Sequence, residues 1–384
     1  MKFAILIIIL IYLLANVYVF HLIWVSMPPN TPMRISLLVV AALLLLSLIF
    51  TFTLGESLPV GLTSVLYTVG SSWLFILIYF VLAFLVQDII LLINRIHEFI
   101  PKEMFSQFSK GNWVTMLFTF TFITLLMVGG YLHYNHKQRV YLPLEIAKPL
   151  SNDTLSTNCL KIVGISDLHL GYTIGNSELE KWIEQINKEN PDLILIAGDV
   201  IDNSLRPVEQ ANMAETLKKL KAKKGIYACL GNHEYIGGVA TTRGELTFFD
   251  RAGIKLLRDD VVELDSCLYI VGRDDKSNKR RQSLSELTKR LDKSKPILLL
   301  DHQPFDLHEA AENGIDLQLS GHTHKGQVWP VSIITKLIYE IDHGYLKKDN
   351  THIYVSSGIG IWGGKFRIGT QSEYVVFELT GVKP

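Results

Sequence analysis

Five short clusters of Asp, His and Asn recur through the second half of the sequence. They are Asp167-Leu168-His169, Gly198-Asp199, Gly231-Asn232-His233-Glu234, Asp301-His302-Gln303-Pro304 and Gly321-His322-Thr323-His324. Carboxylate and amide oxygen with imidazole nitrogen, and no thiolate, suit borderline divalent ions such as Mn, Fe, Zn or Co. Two such ions need a shared ligand, and a carboxylate with two oxygens supplies one. Held ~3.5–4 Å apart, they contact both the attacking and the leaving oxygen of an in-line displacement at phosphorus and lower the pKa of a bound water toward ~7. Any one cluster arises by chance, and a lone histidine is ordinarily a surface or satisfied core residue. The signal is the joint set.

For such residues to converge they must stand at neighbouring strand ends, because ligands in an open α/β sheet sit outside the carboxyl ends of its strands. The surrounding pattern supplies those strands. Short apolar runs at Leu160 to Ser166, Leu193 to Ala197, Ile226 to Leu230, Ile297 to Leu300 and Leu317 to Leu319 each end on one of the clusters,. Further strands are expected at Leu268 to Val271, Ile353 to Val355 and Tyr374 to Leu379. Leu179, Trp182, Ile183 and Ile186 fall on one helix face, with Ser177 and Glu180 spaced as a capping box,. A second helix is expected from Val208 to about Lys221. Strands alternating with helices give an α/β domain. Glycines before Asp199, Asn232 and His322 allow backbone to approach metals or phosphate closely,.

Taken together, these motifs resemble those of the calcineurin-like metallophosphoesterases, over roughly residues 160 to 380. Asn190-Pro191-Asp192, Gly272-Arg273-Asp274-Asp275 and the run from Gly321 to Val328 are similar to a bacterial subgroup of membrane-associated phosphodiesterases. In that subgroup a glycine commonly follows the last motif, where this chain has Lys325; the departure touches no ligand. The resemblance implies a four-layer α/β/β/α sandwich with two mixed sheets. It implies two divalent metal ions, one held by Asp167, His169, Asp199 and His324, the other by Asp199, Asn232, His302 and His322, with Asp199 bridging. It also implies that His233 contacts the phosphoryl oxygens and protonates the leaving group.

The first third is of another kind. Only nine charged residues precede residue 133, and the apolar stretches Phe3 to Val25, Ile35 to Leu54, Trp73 to Ile93 and Trp113 to Leu132 each approach the ~20 residues of a bilayer-spanning helix,. Trp73 and Trp113 open two of these stretches, where interfacial aromatic rings are expected. A cleavable signal peptide is excluded by the length of the first stretch and the three that follow. Asn16, His21, Gln87 and Asp88 are the polar residues inside spans. An interfacial position accounts for Asp88, and no repeat or interrupted span points to conduction. The expected organisation is a transmembrane region at 1–132, a linker at 133–158 and a catalytic domain at 159–384. Loop charges nearly balance across the four spans. Three widely spaced cysteines, Cys159, Cys229 and Cys267, give no disulfide framework and favour a cytoplasmic catalytic domain,.

Zero net charge gives no global field for nucleic acid,. Asp202 and Glu234 stand where they could orient a ligand. Lys365 and Arg367 invite a phosphate-binding role, against which stands simple surface charge. The expected function is a membrane-anchored, manganese-type phosphodiesterase or pyrophosphatase working through metal-bound hydroxide, on a phosphoester that includes lipid- or nucleotide-linked forms. Its other partner is the lipid bilayer. The competing readings are a non-catalytic metal-binding module and a transport or signalling protein with a regulatory domain.

Overall fold

The computed structural model describes residues 2–101, 111–150, 158–236, 238 and 243–382. The chain divides into two compact units, Met1–Leu132 with Gly363–Phe366, and His133–Trp362 with Arg367–Pro384. The charged loop at 102–110 and the Ser/Asn/Thr-rich run at 151–157 lie outside the described residues.

In the first unit, four of the described helices are long and apolar enough to cross a membrane. They are α1 (Lys2–Ser26), α2 (Thr31–Leu54), α3 (Val60–His97) and α4 (Trp113–Asn135). Helix α3 has 38 residues, roughly 57 Å of rise, well beyond a ~30 Å hydrocarbon core. Trp73 does not open the helix, which begins earlier, at Val60. It is buried inside α3, and its indole Nε1–H donates to Asn16 Oδ1 at 2.9 Å. That bond explains a polar residue in the middle of α1, since an apolar medium leaves no water to satisfy it. Asp88 accepts from the Tyr18 hydroxyl at 3.0 Å, which gives it a partner on α1. Gly70 lets α3 approach α2 so closely that any side chain there would strike Ser47 and Leu48, as small residues do between membrane helices.

The second unit is built on two six-stranded mixed sheets. The first has the order β1-β12-β2-β3-β4-β5 and the second β10-β11-β9-β8-β7-β6. The strands are β1 (Lys137–Ile146), β2 (Cys159–Ile165), β3 (Leu193–Ala197), β4 (Ile226–Cys229), β5 (Lys255–Leu256), β6 (Asp260–Leu264), β7 (Leu268–Gly272), β8 (Ile297–Leu300), β9 (Leu317–Ser320), β10 (Gly344–Lys348), β11 (Thr351–Val355) and β12 (Ser372–Gly381). Side chains alternate faces along a strand, and the core follows that alternation. Ile162, Leu193, Leu195 and Cys229 of one sheet share an apolar layer with Leu298, Leu300, Leu317 and Leu319 of the other. Val163, Ile165, Ile194 and Ile196 face outward onto helix α5 (Asn176–Lys188), which offers Leu179, Trp182, Ile183 and Ile186. The opposite face of the second sheet buries Val271, Ile297 and Leu299 beneath Leu284, Leu287 and Ala310. This is the α/β/β/α layering.

Several local expectations are corrected. The segment read as linker contains β1, paired in parallel with β12. Helix α5 starts at Asn176 after Gly175, with no side-chain cap, so Ser177 and Glu180 make no capping box. The helix expected from Val208 to Lys221 is two short ones, Leu205–Gln210 and Met213–Leu217. They are parted at Asn212, whose φ of 49° cannot continue a right-handed helix,.

Candidate metal centre

Strands β2, β3 and β4 run parallel, as do β8 and β9, so their carboxyl ends lie side by side. Each is followed within three residues by one of the five clusters. The turns are tight enough to force unusual backbone. Asp167, His169, Asp199, His322 and His324 all have positive φ, between 47° and 72°, the region that L side chains enter at a cost of roughly 1–2 kcal/mol per residue. Such conformations cluster where packing over-determines them for function. Glycine is required at 198, where φ is 77° and a side chain would strike the His302 ring, and at 321, where one would strike Asp167.

The structure brings all seven expected ligands together. The ligand atoms of Asp167, His169 and His324 lie within 4.8 Å of one another, as do those of Asp199, His302 and His322, and those of His169, Asp199 and His233. Asn232 Oδ1 is 2.6 Å from His322 Nδ1 and 3.2 Å from His302 Nε2. His302 Nδ1–H donates to the Ala197 carbonyl at 2.7 Å. That commitment fixes the tautomer, and His302 Nε2 then faces Asp199 Oδ2 at 3.2 Å. With Nε2 unprotonated, Nε2, Oδ2 and Oδ1 are three acceptors pointed at each other, an arrangement that a metal cation or a proton on Nε2 satisfies.

Other observations agree with a cation site. Metal-ligating imidazoles must be neutral. Burial drives His322 down to about 4, with the charge of His302 adding to it. Burial likewise holds His324 well below the ordinary histidine range, helped by His169 and Arg367. Buried His324 Nδ1 has no hydrogen-bond partner among the described residues. Burial favours a neutral Asp199, yet the charges of His302 and His233 outweigh it and hold the carboxyl well below its usual range. For His302 burial favours the neutral form, while Asp199 and then Asp167 reverse this and raise its pKa well above normal. A proton and a metal ion thus compete for the same acceptors.

Around this centre stand groups that orient it. His233 Nδ1–H donates to Asp202 Oδ1 at 2.8 Å, and its backbone N–H donates to Asp199 Oδ1 at 2.9 Å. Burial lowers the His233 pKa, but the charge of Asp199 and the hydrogen bond and charge of Asp202 carry it up to about 9. Glu234, fully buried, accepts from the backbone N–H groups of Asp199, Ile201 and Gly231, tying the turns after β3 and β4 together. Asp202 and Glu234 thus both act on the ligand turns rather than lying in solvent. Arg367 is the main correction. It is not a surface cation open to a substrate phosphate: it is 1 % exposed. Its guanidinium donates to the carbonyls of His324 (2.7 Å), Ser357 (2.5 Å) and Gly360 (3.1 Å) and to Ser372 Oγ (3.1 Å).

Sequence reasoning also missed the strand-like contact of the Gly-rich segment with the first ligand. Ile359 N–H donates to the Ser166 carbonyl at 3.1 Å and Gly360 N–H to that of Asp167 at 3.0 Å. The glycines at 358 and 360 were the available signal.

Comparison with known proteins agrees with this geometry. The family model for calcineurin-like phosphoesterase matches residues 160–326. An uncharacterized metallophosphoesterase of Helicobacter pylori is 32% identical over 260 residues, covering 66% of this chain and 68% of that protein. One of Aquifex aeolicus is 32% identical over 255 residues, covering 65% of this chain and 95% of its own. The chain belongs to the metallophosphoesterase family. A relative from Danio rerio, described as a transmembrane protein with metallophosphoesterase domain, is 27% identical over 298 residues, 73% of this chain and 67% of that one. A membrane region joined to a metallophosphoesterase domain is therefore a combination found beyond this chain.

Proposed function

We propose that the chain is a membrane-anchored two-metal hydrolase acting on a phosphodiester or pyrophosphate bond, including that of a lipid- or nucleotide-linked substrate. The observation that carries this is the convergence of His302 Nε2, Asp199 Oδ2 and Asn232 Oδ1 beside the group formed by Asp167, His169 and His324. Asp167, His169, Asp199 and His324 would hold one divalent ion, and Asp199, Asn232, His302 and His322 the other, with Asp199 shared. Mn, Fe, Zn and Co all suit this donor set. Bound there, the ions would supply positive charge for the phosphoryl oxygens and acidify a water.

The chain's own residues do the rest. Asp202 holds the His233 ring through Nδ1, and the charge of Asp199 together with the hydrogen bond and charge of Asp202 raises its pKa to about 9. An imidazolium so held supplies the proton that the leaving oxygen needs. Glu234 fixes the two turns that carry Asp199 and Asn232. Cys159, Cys229 and Cys267 are free thiols, which supports a reducing, cytoplasmic side for this unit. A reporter fused at the C-terminus tests the side.

The full chain in detergent, supplied with Mn, is to be assayed on a phosphodiester, a phosphomonoester and a UDP-sugar lipid. Metal-dependent turnover is expected on at least one of them and is expected to fall to background in Asp199→Ala. Absence of metal-dependent turnover on all three overturns the proposal, as does an unchanged rate in Asp199→Ala.

A further inference from the structure

Directly after the His322–His324 turn comes a helix whose polarity is inverted for a soluble protein. Helix α6 (Val331–Ile338) leaves Ile333, Ile334, Leu337 and Ile338 exposed at 50%, 55%, 82% and 58%, with Trp329 just before it at 52%. At 3.6 residues per turn those four helical residues span about 140° of arc. The inward side is the polar one. Ser332 is buried, Thr335 Oγ1 donates to Asp342 Oδ2 at 2.6 Å, and the backbone at Ser332 is so close to Gly326 that a side chain on that glycine would clash. An ordinary amphipathic helix turns its apolar stripe to the core. Adjacent exposed aliphatic side chains gathered on one face mark an interaction site.

The geometry points to a lipid bilayer surface as the occupant, with the α6 stripe lying in the interfacial zone of the membrane. Three observations favour lipid. First, the chain brings a bilayer with it. Helix α4 ends at Asn135 and β1 begins at Lys137, so one residue of chain separates a membrane-length helix from the catalytic sheet. Second, the composition is interfacial: isoleucine and leucine side chains form the stripe, Trp329 stands at one end and Tyr339 at the other, and Lys336 flanks it. Aliphatic anchors with an amphipathic aromatic and flanking lysine suit the headgroup boundary. Third, no described residue of the catalytic unit covers the stripe, which stays open to a partner.

The position of α6 gives the contact a role. The Tyr339 ring, at the end of α6, is 6.1 Å from the His322 ring and 4.8 Å from Phe305. A membrane that receives the stripe is therefore brought to the edge of the metal centre. This inference does not depend on which phosphoester is cleaved.

The test uses the full chain in liposomes of phosphatidylethanolamine and phosphatidylglycerol, with Cys159→Ser to silence the most accessible native thiol. Spin labels are placed singly at Ile334→Cys and Leu337→Cys, with Lys347→Cys as a water-exposed control. Labels at 334 and 337 are expected to collide with oxygen more than with a water-soluble nickel chelate, and the label at 347 to show the reverse. Nickel accessibility at 334 and 337 equal to that at 347 overturns the proposal. So does dipolar broadening at 337 that vanishes on dilution with unlabelled chain, because the stripe is then a contact between copies. The labelled positions are exposed, so the substitutions leave the packing intact, and the unlabelled parent gives the background from the buried thiols.

Discussion

At His233, the proposed proton donor, two carboxylates act differently. Asp199 contributes charge and binds the His233 backbone, while Asp202 binds the ring itself at 2.8 Å. Asp202 is buried, which favours its neutral form, yet the His169 ring, whose Nδ1 lies 3.4 Å from Oδ1, and the hydrogen bond from His233 hold it ionised far below the ordinary range. Replacing it by the isosteric amide keeps an acceptor for Nδ1–H and removes the charge. In Asp202→Asn the His233 pKa is expected to fall by roughly 1–3 units. A general acid is lost as pH rises through its pKa, so the alkaline limb of the kcat profile should move to lower pH by that amount at saturating Mn. A limb that stays in place means Asp202 does not set the protonation of His233. At this scale the sequence was most legible: ligand chemistry is written in residue type, and all seven expected ligands meet. What it hid was direction. Nothing in the order of residues tells that Arg367 points inward while Lys365 belongs to the other compact unit.

At the scale of elements, the Gly-rich segment before β12 is a support for the metal centre. Arg367 is charged inside the protein: burial lowers its pKa to about 10, against the charges of Asp167 and Glu373. A buried charge is tolerated only when its donors are matched, and here carbonyls from the His324 turn and from residues 357–360 match them. Lysine has the charge but not the planar fork. Arg367→Lys is therefore expected to weaken metal affinity about 10–100-fold, as loss of an outer partner does. Turnover should return at raised Mn with the far-ultraviolet circular dichroism unchanged; a loss that Mn does not restore points to misfolding instead. The strands the sequence missed have a common cause. Strands β1, β5, β6 and β10 lie at sheet edges, where one side is solvated and the continuous apolar run of a central strand is absent. Strand β1 even contains Pro143, which an edge tolerates and a centre does not. Central strands, buried on both faces, were legible because they are apolar throughout.

For the molecule as a whole, the two units differ in what a cation can do to them. Among the described residues, every cluster able to hold a metal is in the catalytic unit, and none is in α1–α4. That division was legible in composition, since nine charges in 132 residues cannot solvate a globular surface. The catalytic unit, by contrast, buries Asp167, Asp199 and Asp202 side by side, and burial pushes Asp167 upward against the pull of His302. A ligand that binds the folded state alone stabilises it by about 2.7 kcal/mol at one hundred times its Kd. For a unit of this size that is roughly 5–10 °C in Tm. Calorimetry of the full chain is therefore expected to show one transition that climbs with Mn concentration and falls back with chelator, while a transition of the helical unit stays fixed. Asp199→Ala should remove most of the climb, because both proposed ions share that carboxylate. Equal Tm with Mn and with chelator would mean that the converging acceptors are satisfied by protons alone. The pH dependence then separates the two cases: a proton-satisfied centre loses stability as pH rises through the raised His302 pKa, and a metal-satisfied one gains affinity as its imidazoles become neutral.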